Sequence, residues 1–228
     1  MNYSALVLAA GNGKRMNLGF NKMLLSIHDK PLITLALQNF IYDDDCTELI
    51  IVINKLDEEM IIKILHEHNL FNNKCNIVCG SYERQLSVYN GLKHVTNDLV
   101  LVHDGARPFI TIELIKSLVR EAYKYDCAIP GVKVKDTIKY VEEEFIINTI
   151  SRHNLYAVQT PQACKTKLLL QAHELALQDN FIGTDEASLL EKYLSVKVKL
   201  VESNYDNIKI TTKEDILLAN LLYNKYFT

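Results

Sequence analysis

The sequence predicts an α/β fold: a mostly parallel sheet between layers of helices, with one β-hairpin arm projecting from it. Three observations point there. Short apolar runs alternate with longer segments of helical period. Ile50-Ile51-Val52-Ile53 and Leu99-Val100-Leu101-Val102 are continuously apolar, which suits strands covered on both faces. Residues 132–160 then break the rhythm, with strand patterns and no helix.

In chain order, Ala5–Ala9 reads as the first strand. Asp29-Lys30-Pro31 opens a helix over Leu32–Tyr42, with Pro31 at its first helical position. Strand Leu49–Ile53 leads to helix Asp57–Asn69, and strand Asn76–Cys79 to helix Glu83–His94. Strand Leu99–His103 leads to helix Ile112–Tyr125, followed by strand Cys127–Pro130. In the irregular stretch Val132–Val134, Thr137–Val141, Phe145–Ile150 and Leu155–Gln159 read as strands, with Glu142-Glu143-Glu144 as a polar turn. An isolated hairpin is marginally stable in water, so the arm is expected to pack on another subunit; folding back on its own domain is the alternative. Helices Lys165–Gln178 and Glu186–Tyr193, strand Val196–Val201 and helix Lys213–Tyr226 complete the chain. Thr212 and Asp215 resemble a capping box, with Asp for the usual Glu.

A length of 228 residues predicts one domain over 1–228, the arm being about 132–160. With 48% apolar and 23% charged residues, burial can offset ordering entropy, which excludes a disordered chain. Only 8 Gly and 4 Pro exclude collagen-like and low-complexity classes. Net charge is −3, so no global basic surplus points to nucleic acid, and any site for anions must be local. Five scattered cysteines (Cys46, Cys75, Cys79, Cys127, Cys164) are no disulfide framework and fit a reducing, cytoplasmic setting. No apolar run reaches the ~18 residues of a membrane span. Ser4–Ala10 runs straight into a glycine turn, which predicts no signal segment.

The first strand ends in Leu8-Ala9-Ala10-Gly11-Asn12-Gly13-Lys14-Arg15-Met16. Small residues let a backbone approach a ligand, and successive N–H groups form an anion cradle. A dinucleotide motif would need a small residue where Met16 stands, and the P-loop lysine pattern is absent. What remains is G-x-G-x-R, with Lys22 seven residues beyond Arg15. Two cations beside such a turn suit a triphosphate whose charge relocates in a transition state. A plain β-to-α turn with solvated basic residues is the alternative.

Leu99–Val102 runs into His103-Asp104-Gly105-Ala106-Arg107-Pro108. The carboxyl end of an α/β strand is where such sheets place ligands, and Mg²⁺ on a nucleotide takes one or two carboxylates. Asp104 is therefore a candidate Mg²⁺ ligand, with a helix cap or turn former as the alternative. His103 is read as structural rather than as a base. Ser151-Arg152-His153, Val158–Gln162, Gly183–Ser188 and Asn207–Thr211 are individually weak: Arg152 could be a solvated hairpin charge and Lys209 an exposed strand lysine. Cys75 and Cys79 lack a second ligand pair for zinc, and His66 and His68, two apart on a helix, do not share a face. No G-x-S-x-G nucleophile motif is present.

Together, LAAGNGKRM (8–16), NK (21–22), ERQLSV (83–88), LVHDGARPF (101–109), VKVKDTIK (132–139), AVQTPQ (157–162), GTDEAS (183–188) and YDNIKIT (205–211) resemble, in order, the bacterial 2-C-methyl-D-erythritol 4-phosphate cytidylyltransferase family. The resemblance implies a Rossmann-like domain whose β-arm builds a homodimer. It implies transfer of CMP from CTP to methylerythritol phosphate with Mg²⁺, in non-mevalonate isoprenoid synthesis. By that resemblance Arg15 and Lys22 are catalytic cations on the triphosphate. Ala9, Ala10, Gly11, Asn12, Gly13, Ser81 and Ser87 hold the cytidine, and Asp104 binds the metal close to the substrate. Arg107, Thr137, Arg152, Thr160 and Lys209 serve the polyol phosphate, with Arg107 and Thr137 reaching the neighbouring subunit's site. Two positions depart from the family pattern: Asn21 stands where many relatives have Pro, and Ser81-Tyr82 where many have Gly-Asp. The rival readings are a ribitol 5-phosphate cytidylyltransferase and a catalytically silent nucleotide-binding homologue.

Overall fold

The apolar runs do form the strands. The computed structural model describes residues 1–11 and 21–227. Its elements are β1 (Tyr3–Leu8), β2 (Ser26–Ile27), β3 (Lys30–Pro31), α1 (Leu32–Ile41), β4 (Cys46–Ile53), α2 (Glu58–Glu67), β5 (Cys75–Cys79), α3 (Arg84–Leu92), β6 (Leu99–Asp104), α4 (Ile112–Tyr125), β7 (Cys127–Lys133), β8 (Ile138–Glu142), β9 (Phe145–Ile150), β10 (Tyr156–Val158), β11 (Gln162–Lys165), α5 (Thr166–Gln178), α6 (Glu186–Leu194), β12 (Lys199–Glu202) and α7 (Lys213–Phe227).

Strands β5, β4, β1 and β6 are neighbours in that order and mutually parallel. β11 then pairs antiparallel with both β6 and β7. β10 continues along the same edge of β7, and β12 runs parallel to β7 on its other edge. Alternate residues of the central strands face opposite layers, as a period of two requires. Ala5, Val7, Leu49, Ile51, Leu99 and Leu101 join a core with α1, α2, α4 and α7, while Leu6, Ile50, Val52, Val100 and Val102 join one with α3, α5 and α6. Both faces of the apolar runs are therefore covered.

The helix ends carry their signals. Thr212 N donates to Asp215 Oδ2 (2.8 Å) and Asp215 N to Thr212 Oγ1 (3.3 Å), the capping box read from the sequence. Asp185 and Ser188 form a second box at α6. Gly91 lies where α3 crosses the sheet: a Cβ there would fall 2.7 Å from Leu6 Cδ1 and 3.0 Å from Val52 Cγ2. The missing side chain lets the helix, and the residues at its start, sit close to β1 and β4.

Four local expectations are corrected. Pro31 is not the first helical residue: its backbone is extended (φ −57°, ψ 138°), it pairs with Ser26, and α1 begins at Leu32. β11 is absent from the sequence reading, because Gln162-Ala163-Cys164-Lys165 has no β-branched residue; it is a strand because it fills the slot between β6 and β7. The last strand is paired only from Lys199, not from Val196. Val132 and Lys133, read as a separate strand, continue β7. The arm strands β8 and β9 pair with each other as a separate two-stranded sheet. Glu143 and Glu144 both have positive φ (46° and 69°), as a two-residue hairpin turn demands. Among the described residues, no helix is long and apolar enough to cross a membrane.

Candidate active site

The carboxyl ends of β1, β4, β5 and β6 surround a cavity of about 720 Å³. Parallel strands deliver their following loops to this edge, where open α/β sheets bind ligands. Leu8, Ala10 and Gly11 follow from β1, Asn54 and Lys55 from β4, Cys79 to Arg84 from β5, and Asp104 and Ala106 from β6. Lys22, Lys209 and Thr211 also line it.

One end of the cavity is built from charge. Asp104 Oδ1 accepts from Arg84 Nε (3.1 Å) and Oδ2 from Lys209 Nζ (2.5 Å). Arg84 turns its other edge to Glu186, donating from Nη1 to Oε1 (2.8 Å) and from Nη2 to Oε2 (3.1 Å). Glu186, only 1% exposed, opens α6 directly after the Asp185 cap. Burial alone would raise the Asp104 carboxyl, but Arg84 and Lys209 hold it well below the usual carboxylate range. Burial would likewise lower the Arg84 guanidinium; Glu186 and Asp104 reverse that and keep it charged. Lys22 Nζ donates to the carbonyl of Ile210, the residue after Lys209 (3.1 Å). Lys22, Arg84 and Lys209 thus gather with Asp104 in the lining of one cavity.

The residues behind this wall are held by neutral contacts. The Asp104 amide donates to Thr160 Oγ1 (3.0 Å), and that hydroxyl meets His103 Nδ1 (3.1 Å). His103 Nε2 lies 3.0 Å from the Arg107 carbonyl, which can only accept, so the proton sits on Nε2 and Nδ1 accepts from Thr160. Burial pushes the His103 imidazole down to about 4. His103 is therefore a neutral structural group, as the sequence suggested. Asn21 caps the turn Lys22–Leu24: its Oδ1 accepts from Met23 N (3.0 Å), and its Nδ2 donates to the Ala9 carbonyl (3.0 Å) and Asp57 Oδ2 (2.7 Å). The residue that departs from the family pattern thus fixes the base of Lys22.

The cavity narrows at Gly80. A Cβ on Gly80 would fall 2.6 Å from Ala10 Cβ and 3.1 Å from Ser87 Oγ. Gly80 N donates to the Ile53 carbonyl (2.8 Å), and Ser81 N to Ser87 Oγ (2.9 Å).

Of the candidates named from sequence, Ala10, Gly11, Lys22, Ser81, Ser87, Asp104 and Lys209 line this cavity. Asn12, Gly13 and Arg15 lie outside the described residues. Ala9 and Thr160 are buried behind the wall. Arg107 Nη1 donates to the Asn207 carbonyl (2.6 Å), while its buried Nε has no partner. Thr137 and Arg152 are exposed at the foot of the arm, Arg152 on the Lys135 carbonyl, and neither lines the cavity of this chain. Sequence reasoning did not single out Arg84 or Glu186. Both stood in recognised motifs, but nothing in the sequence pairs two residues 102 positions apart.

The family model for 2-C-methyl-D-erythritol 4-phosphate cytidylyltransferase matches residues 3–225. The chain belongs to that family. It is 45% identical over 223 residues to the enzyme of that name from Geobacillus kaustophilus, covering 97% of each chain. It is 43% identical over 228 residues to the one from Caldanaerobacter subterraneus, covering 99% of this chain and 100% of that one. Among solved structures, 4-diphosphocytidyl-2C-methyl-D-erythritol synthase from Anaerococcus prevotii superposes with TM-score 0.87 at 34% identity, over 98% of this chain and 96% of that one. The Thermus thermophilus cytidylyltransferase superposes with TM-score 0.81 at 29% identity, over 98% and 100%. The family's fold, a mostly parallel sheet between helices, is the fold of this chain.

His173 of α5 stacks on Tyr89 of α3 at 6.2 Å, with no partner for either ring nitrogen among the described residues. Burial, with Arg84 adding to it, pushes this imidazole down to about 4. A histidine with a depressed folded pKa gains its proton on unfolding. Its contribution is complete above the unfolded value of ~6.5 and is lost as pH falls toward 4. Between pH 7 and 4, urea unfolding of the wild type is expected to lose up to about 3 kcal/mol more than that of His173→Leu. Parallel pH profiles for the two proteins would contradict this.

Proposed function

We propose that this chain transfers CMP from CTP to 2-C-methyl-D-erythritol 4-phosphate, giving 4-diphosphocytidyl-2-C-methyl-D-erythritol and pyrophosphate. The carrying observation is the convergence of Lys22, Arg84 and Lys209 on one end of the cavity of a chain that belongs to this family.

The chemistry needs no nucleophilic side chain. The attacking phosphate monoester, with second pKa ~6, is already mostly dianionic at neutral pH, so no base has to activate it. Two anions must instead be brought together: unit charges ~4 Å apart repel by ~4 kcal/mol at an effective dielectric of ~20. Lys22, with Arg15 by the family pattern, faces the triphosphate and stabilises charge on the α-phosphate and the departing pyrophosphate. Ala9 to Gly13, Ser81 and Ser87 form the cytidine end. Lys209 and Asp104 border the place of the second substrate, with Arg107, Thr137 and Arg152 as further contacts and Thr160 positioning Asp104.

The family implies a divalent cation, Mg²⁺. No three-ligand group of His, Cys, Asp or Glu exists among the described residues, so no all-protein cage is available. Asp104 keeps acceptor capacity beyond its bonds to Arg84 and Lys209, and one carboxylate fits a cation that arrives on nucleotide phosphates. Mg²⁺ held there would neutralise phosphate charge.

The same reading makes the active species a homodimer. Phe145, Ile146 and Ile147 of the arm are 75%, 63% and 56% exposed, and a lone hairpin has no core of its own. A second copy covering them would also bring Thr137 and Arg152, which this chain's own cavity does not use, toward a site. It further takes 1–228 as one nucleotidyltransferase domain in the cytoplasm, with no nucleic-acid or membrane partner. The net charge of −3 and five free cysteines support that setting.

The decisive assay is pyrophosphate release with CTP and Mg²⁺, comparing methylerythritol 4-phosphate with D-ribitol 5-phosphate. Strong preference for the first is expected; preference for the second, or for neither, would overturn the reading. Lys22→Ala is expected to lower kcat by ~10²-fold or more, the loss typical of an electrostatic stabiliser. Near-normal turnover in the folded variant would remove Lys22 from that role. For the arm, sedimentation should give a dimer for the wild type and a monomer of much lower activity for Phe145→Glu/Ile147→Glu. A fully active monomer would refute the arm's part in the site.

A further inference from the structure

Tyr82 lines the cavity, and the reaction gives it no task. The cavity has two unlike ends: Lys22, Arg84 and Lys209 stand at one, and the other narrows where Gly80 meets Ala10 and Ser87. A nucleoside triphosphate puts its phosphates at the cationic end, so its base falls toward Gly80 and Ser81. This step rests on the nucleotide reaction proposed above.

The chain around Tyr82 is fixed. Gly80 N is held by the Ile53 carbonyl (2.8 Å) and Ser81 N by Ser87 Oγ (2.9 Å), while Ser87 Oγ donates to the Glu83 carbonyl (3.0 Å). Between these anchors the Tyr82 side chain lines the cavity yet is 88% exposed. Among the described residues, its hydroxyl has no hydrogen-bond partner and its ring no aromatic or cationic neighbour. An aromatic face thus stands uncovered at the end of the cavity where a planar base must lie. Every base offers a π-face, so such a ring adds affinity without reading hydrogen-bond pattern. A carboxylate at this position, as in the family pattern noted above, could not do so.

We propose that the Tyr82 ring stacks on the cytosine of bound CTP and sets the nucleotide affinity of this chain. Tyr82→Ala is expected to raise KM for CTP about tenfold, within the usual range for one lost base–aromatic stack. KM for the second substrate should not follow. Tyr82→Phe keeps the ring and should restore the CTP value. Tyr42→Ala, another exposed tyrosine outside this cavity, serves as the control that changes neither constant. The chain contains no tryptophan, so Tyr82→Trp supplies a lone fluorescent reporter. Its emission should be quenched by CTP and not by inorganic tripolyphosphate, which has no base. A wild-type KM for CTP in Tyr82→Ala, or an emission indifferent to CTP, would overturn the proposal. Wild-type turnover with methylerythritol 4-phosphate tests the reaction separately. CTP-specific quenching in a chain that fails to turn over would uphold the stack and reject the reaction.

Discussion

The ion network Lys209–Asp104–Arg84–Glu186 is the interaction on which the site depends. Each buried carboxylate is tolerable only because a cation answers it, and Arg84 is tolerable only because it answers two. Charges placed in this way cannot relax when a ligand arrives. Water would have to reorient to meet a polyphosphate, whereas this wall is already oriented. The network also joins four distant parts of the chain: the start of α3, the end of β6, the start of α6 and the segment before α7.

The sheet makes that meeting possible. Four parallel strands end on one edge, and the helices on either face bring their first residues back to it. Gly91 lets α3 lie close enough to β1 and β4 for Arg84 to reach Asp104. β11, pairing antiparallel beside β6, leads out of Thr160, whose hydroxyl supports the Asp104 amide. The fold therefore supplies position, and the charged residues supply the chemistry. A nucleophile or base is not needed where both reactants are already ionised; His103, buried neutral behind the wall, fits that division of labour.

Much of this was legible in the sequence, for physical reasons. Continuously apolar runs at Leu49–Ile53 and Leu99–Val102 announce strands buried on both faces, because they are short and rich in β-branched residues. The break at 132–160 announced the arm, because strand period without a helix cannot continue a parallel sheet. β11 was not legible: Gln162 to Lys165 form a strand through their neighbours rather than their own propensity. Nor was the Arg84–Glu186 pair, since a long-range ion pair leaves no local pattern. Asn21 read as a departure from the family, and only the structure gives it work, capping the turn that carries Lys22. Thr137 and Arg152 were named from resemblance, and one chain alone leaves them outside its cavity.

The gathering of Lys22, Arg84 and Lys209 on one cavity is the claim on which the functional reading rests. The most direct measurement of it is the affinity for CTP and for CMP by calorimetry, each at low and at high salt. Fixed cations require CTP to bind more tightly than CMP, with a gap that narrows as salt screens the added phosphates. Equal affinity for the two nucleotides, unaffected by salt, would contradict it.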